Sequence, residues 1–476
     1  MLTIQLGSFG RGALVAAALV VGGIPSAFAQ FDGYGGGIAP VGQYKPGIPI
    51  GVWTLYPSIF AGAVYDNNTS QLANSQGIDP SHGVSARLVP NLQAFWNTTN
   101  HQTTLYGVAD ARFFDTNTVS ATTGFSHSYE PRPDVVLNSQ FNYTRQTDIF
   151  TSALNFNNGA IGPVNSPTSS APLFINPFGT SPGVNPIAYN QYTLTGYATK
   201  KFGADDRGFV TVGAAGFYLA YDHSTDLSSL GPTIAPFNTS HDGTNYQFSG
   251  RLGYHVAPSL YVFADGSGIF QRFNNSLFNT NGYRVTGGIG SDDPKSLLTG
   301  EIYGGYQAQH EQSDQILNPI GFPLLGIPLN SVTLGTPFPS GIPQNTDSSV
   351  FGGRIYYFPT RRWALMAQVD EVLGIATAFD PTVPAGIPSR TLTSLLQTTY
   401  QVSYLLSIGA RLGYTRASFI GFDKLDNGYM AGASLNYEIW RNLHATLDYQ
   451  YSTVRSNTVL SEFTRNVYTA GITYRY

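Results

Sequence analysis

The stretch RNVYTAGITYRY, residues 465 to 476, places Tyr468, Ala470, Ile472, Tyr474 and Tyr476 on one parity and Thr469, Gly471, Thr473 and Arg475 on the other. Successive side chains of a strand point to opposite faces, so these residues read as a strand with one apolar and one polar face. The apolar face must meet either a protein core or hydrocarbon. The rest of the chain decides between them.

Moving upstream, the same alternation recurs. Leu443, Ala445, Leu447, Tyr449 and Tyr451 interleave with His444, Thr446, Asp448 and Gln450, and Tyr429, Ala431, Ala433, Leu435 and Tyr437 oppose Ser434, Asn436 and Glu438. Leu406, Ile408, Ala410, Leu412 and Tyr414 oppose Ser407, Arg411 and Thr415, while Phe248, Gly250, Leu252, Tyr254 and Val256 oppose Gln247, Ser249, Arg251 and His255. A one-residue slip would invert each face. An Arg facing lipid at mid-bilayer costs about 2 to 4 kcal/mol, which assigns Arg251 and Arg411 to the inner face. Segments 209 to 221 and 259 to 273 carry Phe, Tyr and Val on both parities, and their faces stay unassigned.

Composition favours hydrocarbon. Charged residues make up 11% of the chain, against roughly 25% in soluble proteins, and aromatics reach 13% with 53 Gly. The mean hydropathy of -0.08 is too polar for a bundle of membrane helices. A closed transmembrane sheet resolves the conflict, because lipid-facing and lumen-facing residues alternate and average out. At the other end, MLTIQLGSFGRGALVAAALVVGGIPSAFAQ has Arg11, an apolar run from Ala13 to Val21 and small residues before Gln30. It reads as a secretory signal, residues 1 to 29, cleaved after Ala29. No later run approaches the ~18 apolar residues of a spanning helix. With no cysteine, the chain has no disulfide framework, thiolate metal site or thiol catalysis. A net charge of -4 gives no basic field for nucleic acid.

Residues 30 to 52 read as a Gly/Pro-rich periplasmic lead-in. From Trp53 to Tyr476, short two-faced runs are separated by tight turns that alternate with longer polar connections. Turns fall at 97 to 102, 130 to 134, 202 to 208, 255 to 259, 290 to 295, 358 to 362, 403 to 405 and 439 to 442. Longer connections fall at 66 to 81, 115 to 122, 148 to 189, 223 to 242, 274 to 280, 310 to 347, 375 to 389, 419 to 426 and 456 to 461. Short turns on one side and long loops on the other predict an all-β, transmembrane, antiparallel up-and-down barrel of about 18 strands, with periplasmic turns and extracellular loops. Losing the pair around GFSHSYEPR and Tyr404 would give about 16.

A soluble β-sandwich would also show many short strands. It would not need Tyr and Trp at strand ends, as at Trp96, Tyr192, Tyr218, Tyr254, Tyr303, Trp363, Tyr414, Tyr437 and Trp440, which suit interfacial girdles. On the inner face the charged candidates are Arg87, Asp110, Arg112, Arg251, Arg284, Glu301, Asp370, Arg411, Glu438, Asp448 and Arg465. They either ring a wet channel and tune its selectivity or neutralise one another and brace the wall. Tyr303 beside Glu301 would suit a sugar ring. No zinc-protease helix pair, phosphate loop or serine elbow is present, and no cofactor is expected. Asp222 with His223, and His241 with Asp242, flank one loop without forming a recognisable catalytic set.

Several stretches carry a resemblance. LYPSIFAGAVYDNN (55 to 68) with HGVSARLVPNLQAF (82 to 95), SGRLGYHVAPSLYVFADGSGIFQRF (249 to 273) with GYRVTGGIG and EIYGGYQAQ, and SLNYEIWRNLHATLDYQYSTVRSN with FTRNVYTAGITYRY resemble the putative β-barrel porin 2 family of Gram-negative bacteria. The resemblance covers most of the mature chain and transfers no catalytic or binding residue. It implies an outer-membrane protein giving hydrophilic solutes passage. Some members sit beside exopolysaccharide export genes, which implies a polysaccharide conduit; the rivals are a general or sugar-selective diffusion porin and a loop-plugged barrel serving as adhesin or scaffold. Tyr468, Ile472, Tyr474 and Tyr476 resemble the terminal signal read by the barrel-assembly machinery. Implied partners are that machinery, outer-membrane lipids and lipopolysaccharide, and polysaccharide export components.

Overall fold

The computed structural model describes residues 47 to 68, 82 to 114, 118 to 146, 188 to 222, 242 to 274, 279 to 292, 296 to 311, 345 to 360, 362 to 375, 388 to 421, 423 to 457 and 462 to 476. In chain order the strands are β1 (Ile48–Ile50), β2 (Trp53–Asp66), β3 (Gly83–Asn97), β4 (His101–Phe114), β5 (Thr118–Arg132) and β6 (Val135–Gln146). There follow β7 (Tyr189–Phe202), β8 (Gly208–Tyr221), β9 (Gly243–Ala257), β10 (Leu260–Phe273), β11 (Thr280–Ser291), β12 (Leu298–Glu311) and β13 (Asn345–Thr360). The last are β14 (Trp363–Ile375), β15 (Pro388–Gln401), β16 (Leu406–Phe419), β17 (Leu425–Trp440), β18 (Leu443–Ser456) and β19 (Phe463–Arg475).

Each strand from β2 to β19 pairs antiparallel with its sequence neighbours, and β19 closes on β2 from Val467 opposite Asp66 to Arg475 opposite Ser58. The result is an 18-strand ring with no free edge. β1 lies outside the ring, pairing Ile48 with Leu55 and Ile50 with Trp53, so part of the segment read as an irregular lead-in is a short strand. Residues 118 to 122, read as loop, belong to β5, and GFSHSYEPR lies within that strand. The turn at Ser403 closes with its N–H donating to the Leu406 carbonyl at 3.2 Å. The secretory signal at 1 to 29, residues 30 to 46, and nearly all of the connections at 148 to 189 and 310 to 347 lie outside the described residues.

The two faces are inverted relative to a water-soluble protein. On β9 the outward Phe248 and Leu252 are 58% and 57% exposed, whereas the inward Gln247 and Arg251 are 1% exposed. Leu412, Leu447, Tyr468, Ile472, Tyr474 and Tyr476 are likewise exposed. A contiguous exposed apolar surface of this kind marks a face whose partner is not water. β8 and β10 did not alternate because their inner faces are apolar too. Phe209, Phe217, Leu219, Tyr261, Phe263 and Ile269 point inward and are buried, while Val210, Val212, Leu260 and Val262 point outward.

Directly paired residues share a face, and one inward row runs Phe209, Gly253, Phe263, Gly288, Tyr303, Gly352 across β8 to β13. Rings and glycines alternate because each large ring lies over its neighbour's bare backbone. A methyl group at Gly288 would sit 2.7 Å from the Phe263 ring, and one at Gly352 would sit 2.6 Å from the Tyr303 ring. At Gly253 it would run into Phe209. Gly253→Val should therefore lower stability by about 1 to 3 kcal/mol through overpacking, measured by denaturant unfolding of refolded protein. Gly266→Ala, which meets nothing within 4 Å, should stay within about 0.5 kcal/mol of the parent.

Candidate functional site

The inner wall of β9 to β14 gathers most of the chemistry. Arg251 stands directly opposite Asp265 in the β9–β10 ladder, and its Nε donates to Asp265 Oδ2 at 2.9 Å. Its Nη1 donates to Glu301 Oε2 at 3.0 Å, an oxygen that also accepts from the Tyr261 hydroxyl at 3.1 Å. The guanidinium carbon lies 4.2 Å from the centre of the Phe263 ring, within cation–π range. Two strands on, Arg284 lies 5.1 Å above the Tyr303 ring. Tyr303 donates to Asp370 Oδ1 at 2.6 Å, Gln368 Nε2 to Asp370 Oδ2 at 2.7 Å, and Arg354 Nε to Gln368 Oε1 at 3.0 Å.

Three cations, Arg251, Arg284 and Arg354, thus share one wall with three anions, Asp265, Glu301 and Asp370. Balance matters because an unpaired buried charge costs several kcal/mol. Arg251 and Arg284 are also buried against rings, Phe263 and Tyr303, while Arg354 is held by its bond to Gln368. Tyr303 belongs to this wall; its expected place in an interfacial girdle is corrected, since the odd positions of β12 face inward while Ile302 and Tyr306 are exposed.

The other candidates form separate pairs. Arg87 grips Asp110 through two bonds of 2.9 and 2.8 Å, with Arg112 directly opposite Arg87 in the ladder. Arg411 grips Asp448 at 2.9 and 3.1 Å and reaches Gln450 at 3.1 Å. Arg465 binds Asp66 at 2.9 and 3.1 Å across the closing seam, and Glu438 stands opposite His444. Asp222 is held by Arg145 and Asn190, while His223 and His241 lie outside the described residues. Sequence reasoning missed Asp265, Arg354, Tyr261, Gln368 and Asp66. Asp66 meets its Arg only through closure of the last strand on the first of the ring, and Asp265 only through a register shift in the β9–β10 hairpin, so neither pairing has a local signal in the sequence.

A closed 18-strand barrel with this inner wall meets one family model, "Putative beta-barrel porin 2", over residues 43 to 326 and 357 to 476. The chain belongs to that family. The unmatched interval, residues 327 to 356, contains the first part of β13. Among proteins of curated function, none matches the sequence. Solved structures similar to this porin-family barrel include OccAB3 of Acinetobacter baumannii, with 7% identity, 90% of this chain and 100% of that chain covered, and a TM-score of 0.40. OccK5 (OpdH) of Pseudomonas aeruginosa has 10% identity, 89% and 98% coverage and a TM-score of 0.38. A bacterial polysaccharide outer membrane secretin has 8% identity, 88% and 98% coverage and a TM-score of 0.33.

Removing one carboxylate tests the network. Asp265→Ala takes one charge-assisted bond from Arg251 but leaves Glu301, so the loss should be about 1.5 to 3 kcal/mol. Asp265→Ala with Glu301→Gln strands the buried guanidinium and should approach about 3 to 5 kcal/mol. Denaturant midpoints of the three refolded proteins measure the difference.

Proposed function

We propose that this porin-family barrel resides in the outer membrane and gives hydrophilic solutes passage through its lumen. The observation that carries the reading is the opposition of its two walls, an exposed apolar outer band around a polar, charge-balanced inner face. Closed barrels satisfy every backbone group internally, which is what crossing hydrocarbon demands. A lumen ringed by both signs of charge suits weakly charged, hydroxyl-rich solutes better than strong selection of one ion sign. The sharper form of the reading is export of an exopolysaccharide, as the family resemblance implies, with C-terminal Tyr468, Ile472, Tyr474 and Tyr476 serving barrel insertion.

Two measurements bear on it. Refolded protein in a planar bilayer should give discrete conductance steps; persistent silence would favour an adhesin or scaffold. Leu412→Arg, on the outer face, should lower stability in bilayers by about 2 to 4 kcal/mol if its site lies near the midplane, and no loss would count against a lipid-facing wall. For direction, deletion of the gene should reduce surface polysaccharide. Unchanged surface polysaccharide with slower uptake of small sugars would reverse the assignment to a diffusion porin.

A further inference from the structure

On β17 the outward positions run Tyr437, Leu435, Ala433, Ala431, Tyr429 and then Asn427. Residues 429 to 437 match the ~9 to 11 residues with which a tilted strand crosses hydrocarbon, and the tyrosines at both ends stand where aromatic side chains meet headgroups. Asn427 is therefore the first outward residue beyond the apolar band on the side of the long connections. Register sets Arg416 of β16 directly opposite it on one side and Arg455 of β18 directly opposite it on the other. Adjacent strands lie about 4.8 Å apart, so the two arginines start about 10 Å apart on one face. Both are exposed.

Other arginines of this outer rim are engaged. Arg145 is bonded to Asp222 and Asn190, Arg390 to Glu371, and Arg272 to Asn281 and two backbone carbonyls. The Arg416 and Arg455 side chains make no ion pair or hydrogen bond among the described residues. Nearby carboxylates do not supply one. Glu371 is taken by Arg390, and Asp426 faces inward to Lys424. Glu462, next beyond the Val454–Phe463 pair and so opposite Arg455, and Asp423, just before β17, pair with neither arginine. Asn427 Oδ1 accepts from the Tyr414 hydroxyl at 2.9 Å, which leaves its Nδ2 as a donor between the two guanidinium groups. The row thus offers donors and two like charges, which repel unless an anion joins them.

We propose that Arg416, Asn427 and Arg455 hold the phosphate of a lipid in the outer leaflet, which in an outer membrane is lipopolysaccharide. Phosphate presents several oxygens that guanidinium forks match. Toward the midplane, the Tyr414 and Tyr429 rings lie 5.3 Å apart between centres. Beyond them Ala410, Ala431 and Ala433 keep the outer surface low beside Leu412 and Tyr451, so an acyl chain descending from the phosphate meets apolar surface. The site lies open on the lipid-facing wall and needs no enclosed cavity. A soluble anion would use the cationic row and leave the apolar surface uncovered. This deepens the outer-membrane reading by naming a lipid partner, and it rests on that reading for the leaflet but not for binding itself.

Fluorescence titration of the full-length barrel in detergent micelles tests it, with labelled deep-rough lipopolysaccharide as probe and the same lipid stripped of its phosphates as control. The wild type should bind the phosphorylated lipid at least about tenfold more tightly, and Arg416→Gln with Arg455→Gln should lose at least about tenfold for that lipid alone, the share of the charge-assisted contacts removed. Arg145→Gln, an outer-rim arginine with its own carboxylate, should bind as the wild type does; an equal loss there would reduce the site to diffuse charge and overturn it. Equal affinity for the two lipids, or unchanged affinity in a folded double variant, would also overturn it. Heat-dependent mobility on SDS gels certifies folding. Should the double variant not fold, the two single variants carry the test, and unchanged affinity in both refutes the site. Phosphatidylglycerol binding as tightly as lipopolysaccharide, or inorganic phosphate displacing the probe as well as the unlabelled lipid does, would overturn the assignment of the lipid. Cell fractionation that finds the protein outside the outer membrane would sink the outer-membrane reading whatever the affinities, whereas an outer-membrane barrel indifferent to lipid phosphate would sink the site alone.

Discussion

Everything in this molecule depends on the pairing of β19 with β2. A sheet open at that seam would present two rows of unpaired N–H and C=O groups, which are costly in hydrocarbon and invite pairing with a neighbouring chain. Nine residue pairs, from Val467 with Asp66 to Arg475 with Ser58, convert the open sheet into a ring. Arg465 and Asp66 reinforce the seam from inside, joining residues 399 apart in sequence. Once closed, the ring has only two environments to offer a side chain, and strand periodicity sorts residues between them.

That sorting explains why charge is scarce but concentrated. No outward charged group is tolerated cheaply away from the rim, and each inward one must be neutralised, because lumen walls strip much of its water. The solution differs around the ring. On β16 with β18 an Arg–Asp fork suffices, and on β3 with β4 the Arg87–Asp110 fork is joined by the Phe60 ring, over which Arg87 lies at 5.8 Å. On β9 to β14 the wall is thicker: a glycine floor, an aromatic ring lying on it, then a guanidinium over the ring. Rings without the glycines would be pushed into the lumen, and guanidinium groups without the rings would lose their apolar support.

The parts of this that were legible in sequence are those where the inner face is polar. Strands β9, β16, β17, β18 and β19 alternate cleanly, so their faces, and the even strand count, follow from parity. β8 and β10 resisted because Phe209, Tyr261 and Phe263 face inward, erasing the contrast between parities. The same obstacle hid the central ion pair. A plain two-residue hairpin, of the kind that pairs Leu260 with Ala257, would set Asp265 opposite Leu252 on the outer face; a register shift between Leu260 and Tyr261 moves it opposite Arg251 instead. A bulge of one residue reverses a face, and nothing in HVAPSLY announces it.

The bulge also shows how local irregularity serves the site. Shifting β10 by one residue brings Tyr261, Phe263 and Asp265 inward together, so the hydroxyl and carboxylate that flank Arg251, and the ring beneath it, arrive as one set. Without the shift, all three would face outward and Arg251 would stand buried with Glu301 alone. The charge network and the aromatic floor are thus consequences of one register choice.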